Sequence, residues 1–485
     1  MKKLRALSLI LCAFILTGCF EDGDDIPIQT DEINDFVWKG MNLFYLYKSD
    51  VPQLSNNEFG LNAIDDRYGR NEVYNSYLEN FSSPRELFES LIHQRNTVDQ
   101  FSWIVDDYIE LQRNFSGISV TNGMEFFRFR SPNTTDGLIG VVHVVQPNTS
   151  AAANGVKRGD IFYAIDGIPL NDNNYFGLIN QNSYTINLGT YNDQGTPDNS
   201  DDTIDPGTES ITLTKAEYTE NPIYIAKTLD VSGKKVGYLM YNGFIRGSEV
   251  GLNSVFADFK SENIDELVLD LRYNPGGNVE TTTFLASMIT GQFTGEVFER
   301  IIYNSELQSN NTDYLFANKI GENTVINSLN LNQIYVLTSG RSASASEGLI
   351  NGLKPYINVI HVGTNTRGKT QGSITIYDSP KFNREGINPR HTYAMQPLVA
   401  NGTNRNNEFV PSTGLVPTTG FEYQERQSNY GVLGDVNEPL LAMALADIEG
   451  STSKSQRLKS KQVPPLQSVL TEYDFKPFEG GMVID

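Results

Sequence analysis

Cysteine and histidine are scarce in this chain, with two and four among 485 residues. Cys12 falls inside an N-terminal segment expected to be removed, so the mature chain keeps Cys19 alone, which excludes an internal disulfide and a thiolate metal cage. The four histidines, His93, His143, His361 and His391, are scattered, and no G-x-S-x-G run occurs, so a Ser-His-Asp triad has little to be built from. His143 and His361 sit inside apolar strands and read as packed side chains. Clusters of basic residues are missing too: 59 acidic residues face 37 basic ones, a formal net charge of −22. That balance argues against nucleic acid as a partner and against polybasic attachment to anionic lipid. The acidic stretch from Tyr191 to Glu209 holds Asp193, Asp198, Asp201, Asp202 and Asp205 but no twelve-residue EF-hand loop, and reads as a solvated hairpin insertion. No metal and no organic cofactor are expected.

The N-terminus is an address. Met1 to Arg5 supply a positive region, and Leu7–Leu16 an apolar run about half the ~20 residues that a spanning helix needs. This is a signal peptide over 1–18. It ends in Leu16-Thr-Gly-Cys19, which resembles the lipobox of bacterial lipoproteins, and that resemblance implies cleavage before Cys19 and acylation of its thiol. Removal of the signal takes three basic residues and leaves 59 acids against 34 bases. The expected membrane contact is therefore the lipid, with residues 19–30, rich in aspartate, as a tether. The expected location is the bacterial cell envelope, at the outer membrane, with the periplasmic and surface-facing leaflets left open.

Beyond the tether the periodicity changes three times. Ile33, Phe36, Val37, Gly40, Phe44 and Tyr47 fall on one helical face, Ser83-Pro84-Arg-Glu86 reads as a capped helix start, and Asp99 to Phe115 is again periodic, so 31–116 is expected to be helical. Residues 117–225 alternate as short strands. Gly137 to Leu170, with Pro147, a short alanine-rich helix, G-V-K-R-G-D and the turn Asp166-Gly167, resembles a PDZ domain. Such domains add a bound chain terminus as a strand beside a carboxylate-holding loop; here Gly123, Met124 and Phe126 are the expected loop residues. Residues 226–450 read as α/β: a strand over Val236–Tyr241, a helix over Val250–Phe259, a buried strand over Leu267–Leu271, the turn Arg272-Tyr-Asn-Pro-Gly-Gly277, a helix through Met288, and a late helix over Gly434–Ala446. Residues 451–485 read as a flexible, partly extended tail.

The chemistry concentrates in Gly340-Arg-Ser-Ala-Ser344-Ala-Ser-Glu347 and Thr366-Arg-Gly-Lys369-Thr-Gln-Gly-Ser373. Ile334–Thr338 reads as a strand, Ala345 to about Tyr356 as a helix and Val359–Val362 as a strand. A helix of ~11 residues covers ~16 Å and a strand with its lead-in returns as far. Ser344 and Lys369 are thus both expected beyond the carboxyl ends of neighbouring parallel strands, where open α/β sheets bind ligands. Ser344-Ala-Ser-Glu347 also fits a capping box, which would give the serine a purely structural task. A lysine can act as base only when neutral, which requires burial to lower its pKa by ~3 units, a cost of about 4 kcal/mol. Gly363 to Thr370 matches the phosphate-binding pattern G-x-x-x-x-G-K-[ST] as well, but the β-branched residues after it cannot open the helix that a P-loop requires.

L-D-L-R-Y-N-P-G-G, S-A-S-A-S-E and G-K-T, in that order behind the PDZ-like segment, resemble the C-terminal processing (tail-specific) serine proteases over about Asp99 to Ala446. The resemblance implies an α+β multidomain fold: an N-terminal helical region, a PDZ-like β-rich domain and a crotonase-like α/β core. It implies Ser344 as nucleophile and Lys369 as base, with the N–H groups of Gly276 (or Gly277) and Ala345 as oxyanion hole, and Glu347 as the family's glutamate beside the pair. Many relatives carry glutamine four residues after the lysine, where this chain has Ser373; Gln371 and Ser373 are both candidates for the orienting third residue. Expected partners are proteins or peptides with accessible C-termini. The alternative from another class is a catalytically silent PDZ-type receptor on the same scaffold.

Overall fold

A computed structural model describes residues 30–59, 71–196, 201–451 and 482–484. The leader, Cys19 with the tether as far as Gln29, and residues 452–481 of the tail lie outside the described residues, and among those described no helix is long and apolar enough to cross a membrane.

The first helix spans Thr30–Phe44 and buries Ile33, Phe36, Val37 and Met41 on the face that the periodicity marks. At the start of the Pro84–Ser90 helix, the Ser83 hydroxyl accepts the Glu86 N–H at 3.2 Å, and proline stands where no helical N–H is needed. The stretch after Asp99 differs from expectation. Only Tyr108–Phe115 is helical, and Trp103–Val105 is a strand paired antiparallel with Ala394–Gln396. Ile104 lies opposite Met395, both buried, so a partner some 290 positions away overrides the local helical period. The helices close over the sheet formed by these two strands and Ile376–Tyr377, sharing one apolar cluster with it.

The β-rich unit is a sheet in the order Met124–Arg130, Leu138–Val145, Ile161–Ile165, Ser183–Asn192, Thr203–Thr214, with Ile168–Pro169 paired beside the third. The expected hairpin insertion is the pairing of the last two long strands, although its Asp202 is buried. Met124–Arg130 is one edge of this sheet and Thr203–Thr214 the other.

The α/β core is a five-stranded sheet ordered Ile223–Val231, Lys234–Tyr241, Glu266–Asp270, Gln333–Thr338, Asn358–Gly363; the first pair is antiparallel and the rest parallel. The central parallel strands Glu266–Asp270 and Gln333–Thr338 are apolar on both faces, as covered parallel strands must be. Leu267, Leu269 and Leu271 face the helices Glu249–Glu262, Val279–Ile289 and Ala345–Leu353, whereas Val268 faces the helix Pro439–Ile448. That last helix starts at Pro439 rather than Gly434, because the Glu438 carboxylate takes the Leu441 N–H at 2.9 Å and the proline opens the first turn. A second sheet of six strands runs Gly277–Asn278, Met482–Val483, Gln371–Ser373, Leu398–Thr403, Val297–Tyr303, Thr312–Leu315. Its second strand belongs to the segment expected to be a free tail.

Candidate active site

The chain leaves the sheet at Thr338, runs through the Ala345–Leu353 helix and returns beside it, with Thr338 opposite Gly363. Ser344 and Lys369 both follow the carboxyl ends of these neighbouring strands, as their spacing requires. Ser344 opens the helix with φ +59° and ψ −115°, a left-handed conformation that a serine adopts only under constraint. A capping serine is normally extended and spends its hydroxyl on the first-turn N–H groups. Here the Glu347 carboxylate accepts the Ser344 N–H at 2.9 Å, while the buried Ser344 Oγ bonds to nothing in return. Ser344 and Glu347 thus stand in the capping-box arrangement, but the serine hydroxyl in it makes no hydrogen bond.

Glu347 ties the two turns together. Its Oε2 accepts the N–H of Ser344 and of Lys369, each at 2.9 Å, so the two amide nitrogens lie within twice that distance of each other. Its Oε1 accepts the Gly368 N–H at 2.7 Å and the Thr366 hydroxyl at 2.5 Å. Burial pushes the carboxyl pKa up, against these four donors, which favour the anion.

Lys369 is 2 % exposed, and burial pulls its ammonium down to about 7, opposed by the charges of Asp99 and then Glu347. The group lies 5.1 Å from the centre of the Phe101 ring. Asp99 and Phe101 come from the N-terminal region, which therefore roofs the lysine. The roof is itself fixed: Asp99 accepts the Tyr45 hydroxyl at 2.8 Å, the Ser102 hydroxyl at 2.5 Å and two backbone N–H groups, and the Ser102 hydroxyl in turn accepts the Leu398 N–H at 2.9 Å. After Lys369 the chain enters the Gln371–Ser373 strand, with no helix to make a phosphate cradle. Of the two candidate orienting residues, Gln371 bonds the Tyr47 hydroxyl, and Ser373 is buried with its carbonyl accepting the Ile484 N–H at 3.1 Å.

The glycine turn meets Ser344 directly. A Cβ on Gly276 would stand 2.7 Å from Ser344 Cβ and 3.0 Å from the Ala345 nitrogen, and φ is +111° there, so only glycine fits. The expected oxyanion donor is nevertheless engaged: the Gly276 N–H donates to Asn274 Oδ1 at 2.9 Å. The Ala345 N–H, in the first turn of its helix, has no intrahelical acceptor. Arg272, in the same run, is wholly buried and bonds Asp270, Glu438 and Glu425 at 2.6 to 3.0 Å. Glu425 also accepts Arg158 at 2.5 Å, which fastens the β-rich unit to the core beside the turn.

The expected carboxylate loop leads into the edge strand Met124–Arg130. The Gly123 N–H donates to Thr121 Oγ1 and the Met124 N–H to Asn122 Oδ1, both at 3.0 Å, so the loop serves its own side chains. Phe126 packs edge-on against Phe162 at 4.9 Å, inside the unit. His143 stacks on Phe127 at 3.9 Å and burial holds its pKa well below the usual range; His361 bonds Thr338 and the Val416 carbonyl, its pKa pulled down to about 4 by burial. Asn274, Asp99 and Phe101 went unnoticed as sequence. Asn274 lies inside a recognised motif, whereas no local signal marks Phe101 as a roof.

Residues 235–379, a span containing both Ser344 and Lys369, match peptidase family S41, and residues 32–103 match the peptidase S41 N-terminal domain. A carboxyl-terminal-processing protease of Picosynechococcus sp. is 27% identical over 276 residues, 52% of this chain; the chain spans about 60% of the length of that curated relative. Among solved structures, one from Bacteroides fragilis described as an S41 protease aligns over 86% of this chain and 97% of its own, with TM-score 0.65 and 23% identity. The photosystem II D1 C-terminal processing protease aligns over 87% and 99%, with TM-score 0.50 and 16% identity. These two speak for the fold. The serine turn, the lysine turn and the N-terminal region that roofs them all fall within matched segments, so the chain carries the two peptidase S41 family domains there and is similar to carboxyl-terminal-processing proteases.

Proposed function

We propose that the protein is a lipid-anchored serine endopeptidase of the cell envelope that takes protein C-termini or unstructured tails and cleaves them through an acyl-enzyme. One observation carries the reading: a buried lysine with an ammonium pKa near 7 shares a carboxylate oxygen, through its backbone, with a serine whose hydroxyl is uncommitted. Neutral Lys369 accepts the Ser344 proton as Oγ attacks the peptide carbonyl. The oxyanion develops toward the Ala345 N–H, joined by a glycine-turn N–H when Asn274 releases Gly276 or when Gly277 turns inward. Collapse of the intermediate returns the proton to the departing amine and leaves an ester, which water then hydrolyses with Lys369 again as base. Glu347 positions both turns, and Phe101 keeps water from the amine. The core is crotonase-like in this reading. The β-rich unit acts as the PDZ domain, and its edge strand Met124–Arg130 is the place for an added substrate strand.

Mass spectrometry of an unfolded protein incubated with the chain lacking residues 1–29 tests the reading. Cuts that vanish in Ser344→Ala and in Lys369→Ala support it. Cuts surviving both variants refute the pair, and tail binding without cuts in any form would instead establish the silent receptor. Loss of membrane association in Cys19→Ser tests the anchor.

A further inference from the structure

The second sheet carries Met482–Val483 between two strands that lead straight out of the active site. On one side Gly277 and Asn278, which follow the glycine against Ser344, pair in parallel with Met482 and Val483; on the other side Gly372 and Ser373, which follow Lys369, pair with the same two residues, also in parallel. The segment therefore bridges the gap between the serine turn and the lysine turn. Ile484 continues it, donating its N–H to the Ser373 carbonyl at 3.1 Å, and its side chain is 6 % exposed in an apolar cluster with Val279, Ile301, Val399 and Ala400. Apart from this segment, the slot consists of two facing strand edges above an apolar pocket, the features that capture an extended peptide by strand addition.

We propose that this slot binds the extended peptide substrate, with an aliphatic side chain in the position of Ile484, and that Met482–Ile484 is its intramolecular occupant, which a substrate must displace. The consequence for turnover rests on the protease reading; the slot and its occupant do not. The occupant is weak in itself, two paired residues followed by the buried Ile484, where strands usually run to about five or six residues. Tethering compensates, since a linked ligand acts as if present at millimolar concentration. A free peptide of the same sequence therefore competes poorly with the native segment and well with a damaged one.

The test uses the chain lacking only residues 1–29, carrying Ser344→Ala so that nothing is cut, and a fluorescein-labelled peptide of sequence 479–485, Glu-Gly-Gly-Met-Val-Ile-Asp. In fluorescence anisotropy, Ile484→Asp in the protein is expected to tighten binding of this probe on the order of tenfold, by removing the tethered competitor. Ile484→Ala, a milder change in case the aspartate disturbs folding, is expected to tighten it about threefold on the same basis. A probe with aspartate in place of its isoleucine is expected not to bind. Equal affinity in all three proteins, or no binding in any while their circular dichroism melts coincide, overturns the proposal. With Ser344 restored, probe binding without cleavage of an unfolded protein would sink the protease reading and leave the slot standing; cleavage unaffected by saturating probe would do the reverse.

Discussion

Replacing Lys369 by methionine should make the protein more stable while abolishing its activity. The lysine is buried under Phe101, and burial brings its pKa from 10.5 to about 7. Each unit is worth ~1.4 kcal/mol, so holding this amine in the fold costs about 5 kcal/mol below pH 7, where it is charged in both states. The sign follows from proton counts. Between pH 7 and 10.5 the unfolded chain binds more protons at this site than the native one, so stability rises with pH in that window. Below pH 7 both states are protonated and the full cost remains; above 10.5 it is gone. Methionine fills a similar volume without the charge, so its advantage in urea unfolding should be several kcal/mol at pH 6 and shrink by about 1.4 kcal/mol per unit above pH 7. Cleavage by the wild type should follow the neutral amine, rising tenfold per unit below pH 7 and levelling off above it. A stability difference independent of pH, or a rate midpoint above pH 9, would refute the burial argument.

Other expectations follow from the same geometry. Phe101→Ala should admit water to the amine and move the acidic limb of the rate profile upward, read as a higher midpoint in kcat/KM against pH. Glu347→Gln presents an amide N–H to backbone N–H groups where a carboxylate accepted four donors; a loss of 2–4 kcal/mol in urea unfolding and at least a hundredfold in kcat is expected. Arg272→Met leaves Asp270 and Glu438 buried without their cation and should cost about 3–5 kcal/mol. Glu299, fully buried with Oε2 unpartnered, has its pKa pushed up to about 8 by burial, so its neutral form is favoured on folding; stability should fall as pH rises from 4.5 through 8, and Glu299→Gln should remove that fall.

The core was legible because its strands are continuous apolar runs and because a strand, helix and strand of given lengths must bring Ser344 and Lys369 to the same end. Gly276 was singled out through the resemblance, as an expected oxyanion donor, whereas the lack of room for a Cβ against Ser344 is visible only in the fold. Trp103–Val105 was not legible, because its identity depends on Met395 and its neighbours. The roof over Lys369 was hidden likewise: Asp99 and Phe101 acquire meaning only when Ser102 is pinned to Leu398. Nor could sequence reveal that the Gly276 N–H is spent on Asn274, a matter of one side-chain rotamer, or that Met482–Val483 leaves the tail to join a sheet. A two-residue strand carries too little pattern to be read.

The roof has a consequence in time. Chains are made from the N-terminus, so Asp99 and Phe101 exist long before Lys369 is polymerised, yet they can cover it only after the strand Leu398–Thr403 has formed to hold Ser102. Until then the amine is solvated, cationic and unable to accept a proton. In the proposed mechanism a nascent or partly folded copy therefore lacks its neutral base, and competence follows the assembly of the roof rather than the synthesis of the residues that carry it.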